Sequence, residues 1–355
     1  MKKLLALLLA LTMVFSLCAC GAKEEAPAEE AAPAEEAAPA EEAALDPIVI
    51  EFATPNADAN IESQYAAKWI EAVEAASEGA ITFNYTPGGA LGNYEELLEG
   101  TMNGVYNLTI TEPSYLEAYV PESAIMSLPM LYGSYDEVTS VVDGEVGQWY
   151  NGLVSENAGV ELLNYFYCGF RYIITQDEVT SLDDVTANGI IMRSPNIQVY
   201  LDTLQMLGFK CETMSFSEAY SAMETGVITA VECPLQNLYS SGYYNLCDYL
   251  LGTRHLFSAN CIVANGEWWN SLPAEYVEIL TSTLAEVTAA EREQCISNEQ
   301  ELLAAFETEG VVFNEFDADS KAKINEMFAA YWTDKIAPIG DEALAMLNTI
   351  IEAKA

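Results

Sequence analysis

The sequence predicts a two-lobed α/β fold with a hinge, a ligand cleft between the lobes and a long helix that spans both of them. Predicted strands and helices alternate in two separate series, and about 310 residues follow residue 44, enough for two lobes. A third observation is a stretch after Pro273 that contains neither Gly nor Pro until Gly310. Two α/β units in one chain leave a cleft between them, the usual place for a small ligand.

The first series begins near residue 48. Apolar and β-branched runs predict strands, and apolar residues at helical spacing predict the helices between them. The expected strands are 48–53, 81–85 and 106–111, separated by helices at 62–76 and 95–102. This alternation favours a largely parallel sheet.

The second series repeats the pattern further along the chain. Its expected strands are 161–167, 189–192 and 227–231, with a helix at 197–207 between the last two. Beyond Pro273 an apolar face continues to residue 306, which predicts one long helix of about 50 Å at about 1.5 Å per residue. Two helices with a bend near Ser297 are the alternative.

The chain is expected to cross between the lobes near 168–172 and again near 258–262. Lobe 1 is therefore predicted to contain 45–170 and about 258–297. Lobe 2 is predicted to contain 171–257 and about 298–355.

The N-terminus predicts export. Two lysines follow Met1, and an apolar stretch at 4–17 is too short to span a bilayer comfortably, so residues 1–19 are expected to be a signal peptide. The run ending in Ala19, Cys20 and Gly21 resembles the bacterial lipobox, which implies that Cys20 is lipidated and becomes the new N-terminus. An ordinary secretory signal cut nearby is the alternative. No other apolar run approaches the roughly 20 residues of a transmembrane helix, so we expect membrane attachment at the outer face of the cell membrane through lipid alone.

The rest of segment 20–44 is a low-complexity spacer of Ala, Glu and Pro. It lacks aromatic and β-branched residues, so it cannot bury enough apolar surface to offset its ordering entropy. An acidic interaction tail is the alternative interpretation.

The part after residue 44 has 10 basic and 47 acidic residues, a net charge of −37. A surface this acidic repels nucleic acid and anionic lipid head groups, which excludes both as ligands. The whole chain has four arginines, at positions 171, 193, 254 and 292.

The sequence contains few residues that could form a metal site or a catalytic site. His255 is the only histidine, and the six cysteines after residue 44 have no Cys-x-x-Cys spacing, so neither a metal nor a cofactor is expected. We expect these cysteines to be mostly buried thiols, and one or two disulfides are the alternative. There is no Gly-x-Ser-x-Gly, and the glycine run at 88–92 lacks the Lys-Ser/Thr of a P-loop. Binding is favoured over catalysis.

Several motifs in order give the chain a family resemblance. They are GGALG at 88–92, LPMLY at 128–132, IMRSP at 191–195, MSFSEAY at 214–220, AMETGV at 222–227, RH at 254–255 and WNSLP at 269–273. From residue 48 to about 347 the chain resembles the solute-binding subunits of tripartite ATP-independent periplasmic (TRAP) transporters, the dicarboxylate- and sialate-binding type. The resemblance implies a periplasmic-binding-protein-like fold, a small organic-acid ligand and integral-membrane TRAP subunits as partners. A monomer is expected.

By this resemblance, Arg193 makes a two-pronged salt bridge to the ligand carboxylate. The chemistry agrees, since a guanidinium matches a carboxylate bidentately and stays charged when desolvated. A surface or interlobe salt bridge with one of the many carboxylates is the alternative.

The resemblance implies further ligand contacts. Arg171 matches a second arginine of some members, and Glu112 matches an acidic pocket residue of sugar-acid binders or else caps the next helix. Phe216 and Tyr220 match residues of the cleft floor, with core packing as the alternative.

Three more positions complete the expected site. Cys233 stands where members often have an asparagine that binds the carboxylate, and a thiol is a poor substitute for an amide donor. Asn56 and Asn93 are also expected to contact the ligand.

Other functions would share some of these features. A binding protein of an ATP-driven importer would also be exported and two-lobed, and a secreted hydrolase would show turnover. A sensory partner of a membrane receptor cannot be separated from a transport protein by sequence.

Overall fold

The computed structural model describes residues 46–354. Its strands are β1 (Ile48–Ala53), β2 (Ile81–Thr86), β3 (Leu108–Thr111), β4 (Val160–Thr175), β5 (Ile191–Ser194), β6 (Lys210–Thr213), β7 (Ala230–Pro234), β8 (Tyr249–Leu251), β9 (Phe257–Asn265) and β10 (Val312–Asn314). Its α-helices are α1 (Ile61–Ala76), α2 (Tyr94–Met102), α3 (Pro113–Leu116), α4 (Tyr135–Val142), α5 (Glu145–Ala158), α6 (Leu182–Asn188), α7 (Gln198–Met206), α8 (Phe216–Glu224), α9 (Leu235–Ser240), α10 (Gly266–Ser271), α11 (Ala274–Thr308), α12 (Ala318–Ile336) and α13 (Asp341–Ala353). Short 3-10 helices lie at Pro121–Ser127 and Tyr243–Asn245.

The predicted alternation of strands and helices is confirmed, and the sheet is mixed. Its strand order is β2-β1-β3-β9-β4-β7-β5-β6, with β8 paired to β4 and β10 paired to β8. Neighbours within each βα series are parallel, but β4 and β9 run antiparallel to each other and to β7 and β3. The prediction of a largely parallel sheet was therefore wrong. Strands β4 and β9 pass between the two series and are not joined to their neighbours by βαβ crossovers.

Strand β4 changes partners along its sixteen residues. Val160 to Phe170 pair with β9, whereas Arg171 to Thr175 pair with β7 and β8. The described residues form a large hydrophobic core that includes Trp69 and a smaller one that includes Phe328. The division into lobes stays a prediction. Helix α13 packs on α5 and the 3-10 helix at Pro121–Ser127, although the prediction placed it with the other lobe.

Helix α11 is continuous over 35 residues, about 52 Å at about 1.5 Å per residue. The single long helix is confirmed, since α11 passes through Ser297 without a break. Its buried residues include Leu280, Leu284 and Cys295, and it packs along α1 and β4. It thereby supports the strand that carries Arg171.

All six cysteines in the described part of the chain are free thiols, and four of them are buried. The prediction of mostly buried thiols is therefore confirmed, and no disulfide is formed among residues 46–354. None of the helices within residues 46–354 is long and apolar enough to cross a bilayer. The predicted signal peptide, Cys20 and the spacer lie outside the described residues.

Candidate functional site

Arg193 lies on β5, near the carboxyl end of this strand. Its side chain is buried, with 5% of its surface exposed, and Nε donates to the carbonyl of Met214 over 3.0 Å. The guanidinium carbon lies 5.5 Å from the centroid of the Phe216 ring. Among residues 46–354 no carboxylate oxygen lies within 4.0 Å of this guanidinium, whereas the other three arginines each have such a partner.

Arg171 lies on β4 and is equally buried, at 4% exposure. Glu232 on β7 accepts two hydrogen bonds from it, 2.5 Å from Nε and 2.8 Å from Nη2. Nη1 donates to Ser258 over 2.9 Å, and the ring of Tyr200 lies 4.8 Å from the guanidinium carbon. The positive charge of Arg171 is therefore already compensated by a protein carboxylate.

Sequence reasoning missed Glu232. It is fully buried, and His255 Nε2 lies 3.4 Å from its Oε2. Burial alone would raise the pKa of Glu232, but Arg171 and the His255 contact lower it well below its usual range. Burial lowers the pKa of His255, and its Nδ1 lies 2.6 Å from Thr253 Oγ1. The available signal was a charged residue within Ala230–Pro234, where every other residue is apolar or Cys.

Glu112 occupies the N-cap position of α3 without making a capping hydrogen bond. Its Oε2 instead accepts from Tyr200 on α7 over 2.9 Å and from Ser114 over 3.3 Å. Next to it, Tyr115 is half-buried and stacks on Tyr94 with 5.3 Å between ring centroids. Burial raises the pKa of the Tyr115 hydroxyl; Glu112 raises it further, while Arg193 and Arg171 oppose the shift. The two tyrosines were not among the predicted residues.

The aromatic residues predicted for the cleft floor lie together. Phe216 and Tyr220, both half-buried, pack on Tyr243 at centroid distances of 5.9 and 5.5 Å. Both also pack against the larger core, so they are shared between the core and the wall beside Arg193. Cys233 is buried at 5% exposure, with Sγ 3.9 Å from Nη2 of Arg171, and burial raises the pKa of its thiol to about 12.

The two predicted asparagines have different surroundings. Asn56 is 7% exposed; its Nδ2 donates to Glu62 over 2.7 Å, and its Oδ1 accepts from Tyr94 over 2.7 Å. Asn93 is exposed and forms a capping box with Glu96 at the start of α2. The side-chain oxygen of Asn93 is therefore used to cap the N-terminus of α2, whereas Asn56 belongs to a buried polar cluster.

Among residues 46–354, Arg193 is the arginine without a carboxylate oxygen within 4.0 Å, and Glu112 supplies a hydrogen-bond acceptor. Within the described residues no group of three His, Cys, Asp or Glu side chains is arranged to hold a metal ion. The arrangement can bind an anion bidentately beside aromatic faces.

Comparison with known proteins identifies the family. Residues 52–337 match the model of bacterial extracellular solute-binding protein, family 7 (DctP). The C4-dicarboxylate-binding periplasmic protein DctP of Rhodobacter capsulatus is 26% identical over 305 residues, 85% of this chain and 91% of that protein. The sialic acid-binding periplasmic protein SiaP of Vibrio cholerae is 23% identical over 252 residues, 71% of this chain and 78% of that protein.

Solved structures agree with this assignment. The sugar acid binding protein DctPAm of Advenella mimigardefordensis, crystallised with galactonate, matches with a TM-score of 0.80 and 26% identity over 87% of this chain and 99% of that one. The two-lobed α/β fold and the family resemblance are thus confirmed, and the family consists of extracytoplasmic solute-binding transport proteins rather than enzymes. The chain belongs to bacterial extracellular solute-binding protein family 7, the DctP-type solute-binding proteins of TRAP transporters.

Proposed function

We propose that this protein captures a carboxylate-containing organic acid through Arg193 and delivers it to the integral-membrane subunits of a TRAP transporter, without catalysing a reaction. One observation carries the proposal. Arg193 is 5% exposed and, among residues 46–354, has no carboxylate within 4.0 Å, although 47 acidic residues follow residue 44.

The chemistry of a guanidinium makes a carboxylate the matching ligand. A buried charge without a counter-charge is costly, so the positive group of Arg193 favours an anion in this position. Nε is engaged by the carbonyl of Met214, which leaves the two Nη groups to donate in parallel to two oxygens. A carboxylate presents two oxygens in that geometry.

The surrounding residues support an organic acid. The face of Phe216 offers apolar area beside the charge, and Glu112 offers a hydrogen-bond acceptor. Arg171, held by Glu232, shapes the wall rather than adding a second free positive charge. Cys233 replaces an amide donor with a buried thiol, so the carboxylate depends more heavily on Arg193.

The cellular setting is part of the proposal. Export, lipidation of Cys20 and the spacer to residue 44 would place the binding unit outside the cell, tethered to the outer face of the membrane. The ligand would be enclosed as the lobes close about the crossings near 168–172 and 258–262. The protein acts as a monomer that meets the membrane subunits one molecule at a time.

A thermal-unfolding screen tests this function. The purified protein is heated with sugar acids, dicarboxylates, keto acids and aromatic acids, and a ligand that binds only the folded state raises the melting temperature. At 100 times its Kd the stabilisation is about 2.7 kcal/mol. We expect one class of acid to bind with 1:1 stoichiometry and to be recovered unchanged. Conversion of the acid into a product, or no stabilisation by any carboxylate, would contradict the proposal.

A further inference from the structure

A polar pocket with a volume of about 200 Å³ lies where three helices meet. It is called the three-helix pocket below. One wall comes from α1, a second from α11 and the third from α9. Its polar side chains are those of Gln64, Lys68, Gln236, Gln294 and Asn298. Within residues 46–354 its lining includes none of the residues predicted to contact the carboxylate ligand, so it is separate from the site around Arg193.

The spacing of the polar residues explains why a pocket forms here. Gln64 and Lys68 are four residues apart on α1, and Gln294 and Asn298 are four residues apart on α11. Each pair therefore lies on one face of its helix. Further along α1 the two helices are in direct contact, where Trp69 Nε1 donates to a carbonyl of α11 over 3.2 Å. Towards the start of α1 the helices present polar side chains instead, and the space between them stays open.

Lys68 gives the pocket a positive charge that the protein does not compensate. Its Nζ lies 3.6 Å from the centroid of the Tyr65 ring, and among residues 46–354 no carboxylate oxygen lies within 4.0 Å of it. The described lining contains no Asp or Glu, although 47 acidic residues follow residue 44. Glu62, which neighbours the lining in sequence, accepts hydrogen bonds from Asn56 and Asn260 instead. The local charge of the pocket therefore favours an anion.

The amides around Lys68 offer both donors and acceptors. Gln294 Nε2 donates to Asn298 Oδ1 over 2.7 Å, which leaves Nδ2 of Asn298 to donate to a ligand. Gln64 Nε2 donates to a backbone carbonyl over 3.0 Å, which leaves its Oε1 as an acceptor. Gln236 is half-buried and carries one group of each kind. A ligand that fits these groups has a negative charge, accepts hydrogen bonds and also donates at least one.

These requirements narrow the class of ligand. A metal cation would find no carboxylate in the described lining, and a neutral polyol would leave the charge of Lys68 without a partner. A protonated oxyanion such as dihydrogen phosphate accepts charge-assisted hydrogen bonds and donates through its own hydroxyl groups. The net charge of −37 after residue 44 repels anions at long range, so we expect millimolar rather than micromolar affinity.

We propose that the three-helix pocket is a second binding site, which takes a small protonated oxyanion of the phosphate type and joins α1, α9 and α11. The inference goes beyond the proposed function, because the site does not involve Arg193. Helix α1 belongs to the first βα series, and α9 follows β7 of the second. An anion that contacts both helices therefore ties the two series together, beside the helix that the sequence predicts to span both lobes.

Thermal unfolding of the purified full chain in inorganic phosphate tests the site. The measurements are made at about pH 6 with the ionic strength held constant by potassium chloride, and sulfate serves as an oxyanion without hydroxyl groups. A ligand of the folded state raises the melting temperature. We expect a saturable rise with a Kd for phosphate below about 10 mM and weaker binding of sulfate. The absence of a saturable rise would overturn the site, and equally strong binding of sulfate would overturn the proposed ligand class.

Two variants test the lining residues. Lys68→Gln removes the charge and should raise the Kd for phosphate at least 10-fold, and Gln236→Leu should raise it several-fold by removing the amide of α9. Lys210→Gln is the matched control, because Lys210 is also exposed and, among residues 46–354, has no carboxylate oxygen within 4.0 Å. An unchanged Kd in Lys68→Gln, or an equal rise in the control, would refute the assignment.

The variant Arg193→Ala separates this site from the proposed carboxylate site. Its phosphate binding should match that of the unaltered protein. Loss of phosphate binding in Arg193→Ala with retention in Lys68→Gln would place the anion at Arg193, and this inference alone would then be wrong. Hydrogen exchange tests the joining of the helices. Phosphate should slow exchange in α1, in α9 and near residues 294–298 together, whereas protection of a single helix would contradict the proposal.

Discussion

Replacing Arg193 by alanine removes the group on which the functional proposal depends. The variant loses a guanidinium that is 5% exposed and leaves the carbonyl of Met214 without its Nε–H donor. The bound carboxylate would then be buried without a counter-charge. We expect a large loss of affinity, because a desolvated anion cannot be screened by water.

The magnitude follows from the burial. Breaking a buried ion pair by removing one partner costs about 3–5 kcal/mol, and every 1.4 kcal/mol changes Kd by about tenfold. The Kd should therefore rise by roughly 100-fold or more. In the absence of ligand the folding stability should change little, because the described residues provide no carboxylate partner for Arg193 to lose.

Titration calorimetry against the acid found in the ligand screen measures this effect. Arg193→Lys retains a charge but loses the planar two-pronged geometry, so it should also bind poorly. Arg292→Ala is the control, because Arg292 pairs with Asp143 and bonds the carbonyl of Tyr165. It is preferable to Arg254, whose guanidinium lies 3.7 Å from the Phe170 ring at the point where β4 changes partners. Near-normal binding by Arg193→Ala would refute the reasoning.

Three further predictions concern stability and location. Glu232→Gln leaves Arg171 buried without its carboxylate and should lower the free energy of unfolding in urea by about 3–5 kcal/mol; a loss below about 1 kcal/mol would contradict the pairing. Burial raises the pKa of Glu62 to about 7, above about 4.3 in the unfolded chain. The folded state then binds more protons between these values, so stability should fall as pH rises through this window, by about 3 kcal/mol relative to Glu62→Gln. Urea unfolding at pH 4 and 8 checks this, and a constant difference between the two proteins would refute it. Cys20→Ser should move the protein from the membrane fraction to the medium, and continued retention would exclude lipid as the tether.

Local patterns predicted the βα series well, since β1, α1 and β2 lie within one residue of the expected bounds. The direction of β4 could not be predicted in the same way. Its sixteen residues pair with β9, β7 and β8, which come later in the chain, and an apolar run does not specify partners 60 or more residues away. The continuity of α11 was predictable because no Gly or Pro interrupts it.

The candidate site shows the same limit. Motif positions indicated both Arg193 and Arg171 as ligand contacts. The two side chains have different environments because Arg171 contacts Glu232, a residue 61 positions away in the sequence. Glu232 lies on β7, directly between the strands that carry the two arginines. Only the folded sheet reveals that it pairs with Arg171 and not with Arg193.

That choice of partner has a functional consequence. Had Glu232 faced Arg193, an incoming carboxylate would have had to displace a protein carboxylate from the same guanidinium, and much of the binding energy would have been lost in the exchange. Because Glu232 compensates Arg171, it keeps one arginine as a rigid part of the wall, bonded also to Ser258. Arg193 keeps its positive charge, which the proposed function assigns to the ligand carboxylate. On that proposal, affinity for an organic acid in a molecule with this excess of carboxylates depends on pairing every arginine except Arg193.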